Sequence, residues 1–401
     1  MRIAVLTSGI LPVPAVKGGA VENLIDFYLE YNEHHHLHNI TVYSVWNDNV
    51  VRHPAHGHKY NHYIYIKTNS WWGKLKKLLY AKLHGDGYYH HSIEFFLHEA
   101  MKDLRRKQYD VIIVENRPAF VLSLADGNEK YPQAQRYVLH LHNDFLHAGT
   151  RLASAIYEKY DCVVGVSDYI TGRVNEIDTT KQKAVTVYNS IDISLFTNAV
   201  PGKRDSLGLS PSDFVIVYSG RLNEEKGILE LVQAIRKCED IPHLKLLVIG
   251  ASSYGRDEHP TPFVKQLEAE AEAIRDKVLY TGFVSYEQIP SFLKMANLAV
   301  VPSMWEEPFG LTVVEAMATG LPLITTRSGG IPEICEGVAT IVGKDHIVDG
   351  LAEAIRDLYL HPEKRKQMSG ASVRRAELYD KEAYAHNFFE AICNHSNDRA
   401  K

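Results

Sequence analysis

Several features that would assign this 401-residue chain to a class at once are missing or scarce. Long apolar runs are absent: the longest, Leu244 to Gly250 and Ala296 to Pro302, fall well short of the roughly 18 residues a bilayer-spanning helix needs. Cysteine is rare, with four residues (Cys162, Cys238, Cys335, Cys393) and no paired spacing. That argues against a disulfide framework or a structural zinc site and leaves four buried thiols as the expectation. A basic excess is lacking too. The chain carries 44 Lys+Arg against 49 Asp+Glu, and its first 200 residues balance at 21 against 20, so duplex nucleic acid is a poor partner. No Asp-x-Asp sequence occurs anywhere, so there is no acidic pair to hold a metal on a diphosphate. The start, Met1 to Leu6, reads directly into a strand without a small-residue cleavage site, and a soluble cytoplasmic protein is expected.

With 45% apolar and 23% charged residues the chain has an ordinary globular composition, which excludes disordered and fibrous architectures. Apolar runs alternate with amphipathic stretches. Strands are expected at Arg2 to Thr7, Ile40 to Val45, Tyr109 to Val114, Tyr137 to Leu141 and Cys162 to Val166, and again at Phe214 to Tyr218, Leu244 to Ile249, Val278 to Tyr280, Leu298 to Val301 and Leu321 to Thr325. Strands separated by helices form a parallel sheet covered on both faces, so the fold class is α/β, in two units. The pattern breaks over Asn189 to Ser212, which holds Pro201-Gly202. Near the end, Tyr384, Phe388, Phe389 and Ile392 line one helical face that must dock on something apolar. Fifteen of the 21 histidines fall in the first 200 residues. The His34-His35-His36 run with His38 sits in the turn after the first helix and is read as solvated, not as a metal site.

The informative residues sit at expected strand ends, where open α/β sheets bind ligands. After Leu298 to Val301 comes Trp305-Glu306-Glu307-Pro308-Phe309-Gly310-Leu311, with Glu315 on the following helix; two acids there suit ribose or sugar hydroxyls. After Phe214 to Tyr218 comes Ser219-Gly220-Arg221-Leu222 with Lys226-Gly227. Two cations ahead of a helix N-terminus make an anion site. The Gly18-Gly19 pair lies between the first strand and first helix. His140 and His142 end a strand on one face, because strand side chains alternate. His142 is the nearer to the strand end, whereas His140 is read as structural. Those two histidines beside Asp144 could hold a metal, but the spacing supplies no definite third ligand. Glu115-Asn116-Arg117 ends the preceding strand and is a candidate acceptor contact. Trp71-Trp72-Gly73-Lys74-Leu75-Lys76-Lys77-Leu78-Leu79, continuing to Leu83, reads as a basic amphipathic helix suited to a membrane surface.

The spacing of Glu307 and Glu315, together with Pro308-Phe309-Gly310, resembles the E-x7-E motif of retaining glycosyltransferases of the GT-B fold, specifically glycosyltransferase family 4. The likeness extends over most of the chain, through Arg221 and Lys226, Gly18-Gly19, His142, Asn189-Ser190-Ile191-Asp192 and Ser328-Gly329-Gly330. It implies two Rossmann-like domains facing a central interdomain cleft. Residues 1–195 would form an acceptor-side domain, joined by a C-terminal helix at about 380–401 that docks back, and residues 196–379 would form the donor domain. His142 and Glu307 would then be catalytic, and Gly18, Gly19, Arg221, Lys226, Phe309, Gly310, Leu311 and Glu315 would bind the donor. The resemblance implies no cofactor and no metal beyond a nucleotide-sugar co-substrate; a UDP-sugar is taken as the donor on its frequency among nucleotide sugars alone.

The expected activity is therefore retaining, metal-independent sugar transfer to a hydroxyl of a cell-surface or lipid-linked glycan, as in cell-envelope polysaccharide synthesis. The site is cytoplasmic, with peripheral contact at the inner membrane face through Trp71 to Leu83. The rival functions are a nucleotide-sugar epimerase of the same fold and a non-catalytic nucleotide-sugar-binding assembly protein.

Overall fold

The structure, a computed structural model, describes residues 1–68, 70–84, 87–130, 133–251 and 261–394. It divides into two compact units: residues 1–189 together with 381–401, and residues 190–380. The expected C-terminal helix at 380–401 lies outside the described residues from 395 onward.

The first unit is built on a seven-stranded sheet of β1 (Arg2–Leu6), β2 (Asn39–Val45), β3 (Asn61–Ile66), β4 (Tyr109–Glu115), β5 (Ala134–Leu141), β6 (Cys162–Gly165) and β7 (Ala184–Thr186), in the order β3-β2-β1-β4-β5-β6-β7. Every pairing is parallel. The middles of the central strands are apolar, as burial on both faces requires: Ile3, Val5, Ile113, Val138 and Val164 are fully buried. Helix Ala20–His35 lies on this sheet through Leu24, Ile25, Tyr28 and Leu29, spaced on one face.

Helix Lys381–Asn394 belongs to the same unit. Tyr384, Phe388, Phe389 and Ile392 are buried. Phe388 stacks on Tyr28 at 4.6 Å between ring centroids, and Arg136 Nη1 donates to the Ile392 carbonyl at 3.1 Å. Large side chains of this kind contribute roughly 1.5–3 kcal/mol each on burial, so this helix is an integral part of the first core.

The second unit carries β8 (Phe214–Ser219), β9 (Leu244–Ile249), β10 (Val278–Gly282), β11 (Leu298–Val301), β12 (Leu323–Thr326) and β13 (Thr340–Val342), ordered β10-β9-β8-β11-β12-β13 and again parallel. Each sheet grows outward from its first strand and then crosses to the other side, between β1 and β4 in one and β8 and β11 in the other. Loops from strands that turn opposite ways part there and leave a crevice at the strand ends. The change of unit falls at Asn189/Ser190, earlier than the expected residue 195. The reason is local: Ile191 N–H donates to the Tyr379 carbonyl at 3.1 Å and Ile191 bridges Asp380, which ties the start of the second unit to its end.

Helix Trp71–His84 stands apart from this economy of burial. Trp71 (70% exposed), Trp72 (65%), Leu78 (70%) and Leu83 (78%) face solvent, as do Lys74, Lys76 and Lys82. The helix is fastened instead by its other side chains, with Tyr80 edge-on to Phe95 at 5.9 Å. Among the described residues no helix is long and apolar enough to cross a membrane.

Candidate active site

In the second unit β8 ends at Ser219 and the chain turns through Arg221 into a short 3-10 segment, Glu224–Lys226, before helix Ile228–Lys237. Gly227 makes that entry possible. Its φ is +68°, and a Cβ there would lie 1.9 Å from the Pro302 carbonyl oxygen, so only glycine lets this loop lie against the end of β11. The Met304 N–H also donates to the Glu225 carbonyl at 2.8 Å, joining the loop after β8 to the loop after β11.

Lys226 and Glu307 meet at that junction. Lys226 Nζ lies 2.5 Å from Glu307 Oε1 and 5.2 Å from the centroid of the Trp305 ring. The same Oε1 accepts from Ser303 Oγ at 2.7 Å. Glu307 Oε2 has no hydrogen-bond partner among the described residues. Arg221 is exposed, and its guanidinium makes no ion pair among the described residues. The Arg221 carbonyl accepts from Tyr218 Oη at 2.7 Å, which fixes the backbone while leaving the side chain free.

The loop carrying Glu307 is pinned from behind. Gly330 N–H donates to the Glu307 carbonyl at 2.8 Å, and Ser328 Oγ donates to the Ser303 carbonyl at 2.8 Å. Glu306 points the other way, pairing with Lys344 at 2.6 Å. Helix Leu311–Ala318 starts at Gly310 without a side-chain cap, so its first amides remain available for an anion or a hydroxyl oxygen.

Phe309, expected at the donor, is buried, 2% exposed, and its ring sits edge-on to Tyr379 at 5.7 Å between ring centroids. Glu315 lies inside the helix, 5% exposed, and burial raises its carboxyl to about 7 against the opposing hydrogen bond with Tyr286. The two acids of the motif thus differ in setting. Glu307 meets a lysine and a serine at the strand end; Glu315 is buried and ready to carry a proton.

In the first unit the Gly18-Gly19 loop enters helix Ala20–His35 with Gly19 at φ +112°, where a Cβ would lie 2.2 Å from Glu22 Oε2. Glu22 is buried in the first turn, and desolvation lifts its carboxyl to about 7.

Residues 115–117, expected to touch acceptor, are not one surface. Glu115 is wholly buried. It pairs in register with His140 across β4 and β5, and two residues on, His142 lies on the same face. Its carboxylate accepts from Tyr28 Oη at 2.8 Å and His140 Nδ1 at 3.3 Å on Oε1, and from His142 Nε2 at 2.9 Å on Oε2. Burial would raise this carboxyl, but the two imidazoles overcome it and hold it down at about 2. Asn116 adopts φ +57°, and its Oδ1 accepts from the His142 N–H at 3.2 Å. Arg117 alone of the three offers charge, half-buried, donating from Nε to the Ser8 carbonyl at 3.2 Å and lying 5.4 Å over the Tyr89 ring.

Asp144 is not a third ligand for the histidines, because it pairs with Arg173 at 2.9 Å. Glu115 is the acid beside them: among the described residues one ligand atom from each of Glu115, His140 and His142 lies within 4.8 Å of the others, and the carboxylate is engaged by Tyr28 and both imidazoles. The histidine run after the first helix is on the surface. His34, His35 and His36 are exposed, and His36 stacks on Tyr60 at 4.6 Å.

Four partners escaped the sequence reading: Tyr28 on Glu115, Ser303 and Trp305 beside the Lys226–Glu307 pair, and Tyr286 on Glu315. Only the Glu115–histidine grouping carried a signal beforehand. Two neighbouring strands, one ending in an acid and one in His-x-His, bring those side chains to one face whenever the strands pair.

Two doubly wound parallel sheets, one with cations and acids gathered where its strand order reverses, define a protein of the open α/β class, in which ligands bind at such a reversal. Residues 201–375 match the family described as Glycosyl transferases group 1. That match spans most of the second unit, a little under half of the chain, and the chain as a whole shares the fold of the solved structures named below.

Over 94% of its length it is 28% identical to spore coat protein SA of Bacillus subtilis (strain 168), covering 95% of that protein. It is 25% identical to the putative glycosyltransferase YtcC of the same organism, over 94% of this chain and 88% of that one. Among solved structures, HepE of Anabaena in complex with UDP superposes with a TM-score of 0.74 at 19% identity, covering 98% of this chain and all of that one. The same protein has also been solved with UDP-glucose, with a TM-score of 0.73.

Proposed function

We propose that the chain is a retaining transferase that moves a sugar from a nucleotide-sugar donor to a hydroxyl of a cell-surface or lipid-linked glycan, without a metal ion. The observation that carries this reading is the grouping of Arg221, Lys226 and Glu307 at the point where β8 and β11 part, ahead of two uncapped helices. A free guanidinium, an ammonium and helix N-termini stabilise a departing diphosphate as charge develops on it, which is the work a metal does elsewhere. Glu307 Oε2 accepts a donor-sugar hydroxyl and Glu315 the ribose hydroxyls; within the first unit, the Gly18-Gly19 amides and His142 are the groups assigned to sugar contact.

In the retaining step the bond from the anomeric carbon to the diphosphate oxygen breaks. The acceptor oxygen bonds to that carbon on the same face, and its proton passes to the departing diphosphate. That HepE, of the same fold, has been solved with UDP and UDP-glucose makes UDP-sugars the first donors to try.

The test is to incubate the protein with a panel of nucleotide sugars and follow slow hydrolysis, then nucleotide release on adding glycan acceptors. Release with transfer supports the reading. An altered sugar nucleotide without release makes the protein an epimerase, and binding without turnover makes it an assembly protein. Chelation by EDTA should leave the rate unchanged; loss of activity restored by magnesium or manganese would reverse the metal-independent part.

The exposed face of helix Trp71–His84 favours a lipid-linked acceptor. Indole rings and leucines lie bare beside lysines, the composition that settles at an anionic membrane surface.

A further inference from the structure

The hydrogen bonds around Glu115 specify more than a buried polar cluster. A carboxylate only accepts, so the three groups that reach Glu115 all donate: Tyr28 Oη, His140 Nδ1 and His142 Nε2. For His142 this fixes the tautomer. With the proton on Nε2, the neutral ring carries a lone pair on Nδ1, and Nδ1 has no hydrogen-bond partner. A second proton would place a buried N–H where no acceptor waits, and burial together with the His140 ring holds the imidazole down at about 4.

The two unpartnered ring nitrogens of the cluster differ in their surroundings. His140 Nε2 lies under an aromatic roof, with Phe388 at 4.6 Å and Tyr384 at 6.3 Å between ring centroids, and serves nothing beyond packing. His142 follows the last residue of β5, in the strand-end loop, with its backbone N–H held by Asn116 Oδ1. The ring is therefore clamped at two points, Nε2 and the backbone, and its one uncommitted atom is an acceptor. The other ionisable groups near Glu115 are Glu22 and Tyr384.

We propose that Glu115 is a positioning residue that locks His142 as the Nε2–H tautomer, so that Nδ1 accepts a hydrogen bond from a hydroxyl of the transferred sugar. The inference rests on the placement of His142 at the donor sugar argued above. It assigns the direction of that contact: the sugar donates and the histidine accepts. Tyr28 and His140 act on the carboxylate, keeping it ionised and aimed. The outer face of Tyr28 rests on Phe388, so the C-terminal helix supports the same orientation.

Ring-nitrogen NMR on the full chain, selectively labelled at histidine, tests this directly with Glu115→Gln, His142→Ala and Tyr28→Phe in parallel. In the wild type at neutral pH, His142 should show a protonated Nε2 and an unprotonated Nδ1. An Nδ1–H tautomer or an imidazolium overturns the proposal, as does a bound metal in the purified protein with neither ring nitrogen protonated.

Glu115→Gln, whose amide can turn an N–H toward Nε2, should shift the His142 tautomer and lower kcat about 10- to 100-fold, with a smaller change in KM for the nucleotide sugar. A glutamine variant with unchanged tautomer and unchanged kcat also overturns it. Tyr28→Phe keeps the packing and removes one donor, and should reduce activity less than Glu115→Gln. An equal or larger loss with the tautomer intact would make the cluster a packing element only and overturn the proposal. The two readings fail separately: His142→Ala at the wild-type rate removes His142 from the site, whereas an inactive His142→Ala beside a fully active Glu115→Gln refutes the positioning role alone.

Discussion

Lys226 and Glu307 neutralise each other in the unliganded chain, and that pairing sets what a single substitution should cost. Lys226→Ala removes a charge-assisted contact of the class worth roughly 1.5–3 kcal/mol, so kcat/KM for the nucleotide sugar should fall about ten- to a hundredfold. Ser303 still donates to Glu307 in the variant, so circular dichroism and Tm should change little. Transfer at the wild-type rate would remove Lys226 from the diphosphate site. Glu315 makes a different prediction, in pH. Its carboxyl is raised by burial from 4.5 in the unfolded chain to about 7 when folded. The folded state therefore holds a proton that the unfolded chain has lost, and this contribution to stability is full below pH 4.5, declines as pH rises and is gone above about 7. The span corresponds to ~3 kcal/mol at most. Glu22 and Asp26, also raised to about 7 by burial, share the sign and persist in a Glu315→Gln variant. The difference in slope of Tm against pH between wild type and variant isolates Glu315. Parallel curves would mean that Glu315 is ionised in the folded protein.

The loops that carry the site depend on the secondary-structure elements they join. Gly227→Ala forces a Cβ into the Pro302 carbonyl and a side chain into a left-handed backbone, which costs about 1–3 kcal/mol. A lowered Tm together with weakened nucleotide binding is expected, and a variant that keeps both would show that the loop after β8 is free to move away from β11. The strands that were legible beforehand are the apolar ones: β1, β4, β8, β9 and β11 read as continuous buried runs because both faces are covered. The three that were not, β3, β7 and β13, are outer strands. β3 is Asn-His-Tyr-Ile-Tyr-Ile, with polar and aromatic residues on a half-solvated ladder, and β7 and β13 have three residues each, too few for any period to register. The site shows the same division. Arg221, Lys226 and Glu307 could be read because a strand end and a spacing announce them. Glu115 could be seen at a strand end but was assigned to acceptor, because its role depends on which strand lies beside it, and pairing order is a property of the sheet. Phe309 stood within a recognisable motif, yet the burial of its ring against Tyr379, seventy residues later, is a property of the fold.

At the scale of the molecule, the charged and aromatic face of helix Trp71–His84 predicts a surface preference. Each lysine near an anionic membrane contributes on the order of 1 kcal/mol, so binding should be reversible and weakened by salt. Wild-type protein should co-sediment with anionic vesicles more than with neutral ones. Reversing Lys74, Lys76 and Lys77 to glutamate should abolish that difference without changing donor hydrolysis. Equal partitioning of both proteins would mean that the exposed indoles serve some other surface.

The membership of Lys381–Asn394 in the first core has a consequence for synthesis. A ribosome delivers residues 1–189 first, but Tyr28, His140 and the sheet above them stay uncovered until Phe388, Phe389 and Ile392 have left the exit tunnel. The second unit is contiguous and has all its strands once residue 380 has emerged. The unit begun first is therefore completed last, and throughout elongation its aromatic seam is open to chaperones and to other nascent chains. A chain lacking residues 384–394 would keep every strand of its second unit and lose the cover over Tyr28 and His140 in its first.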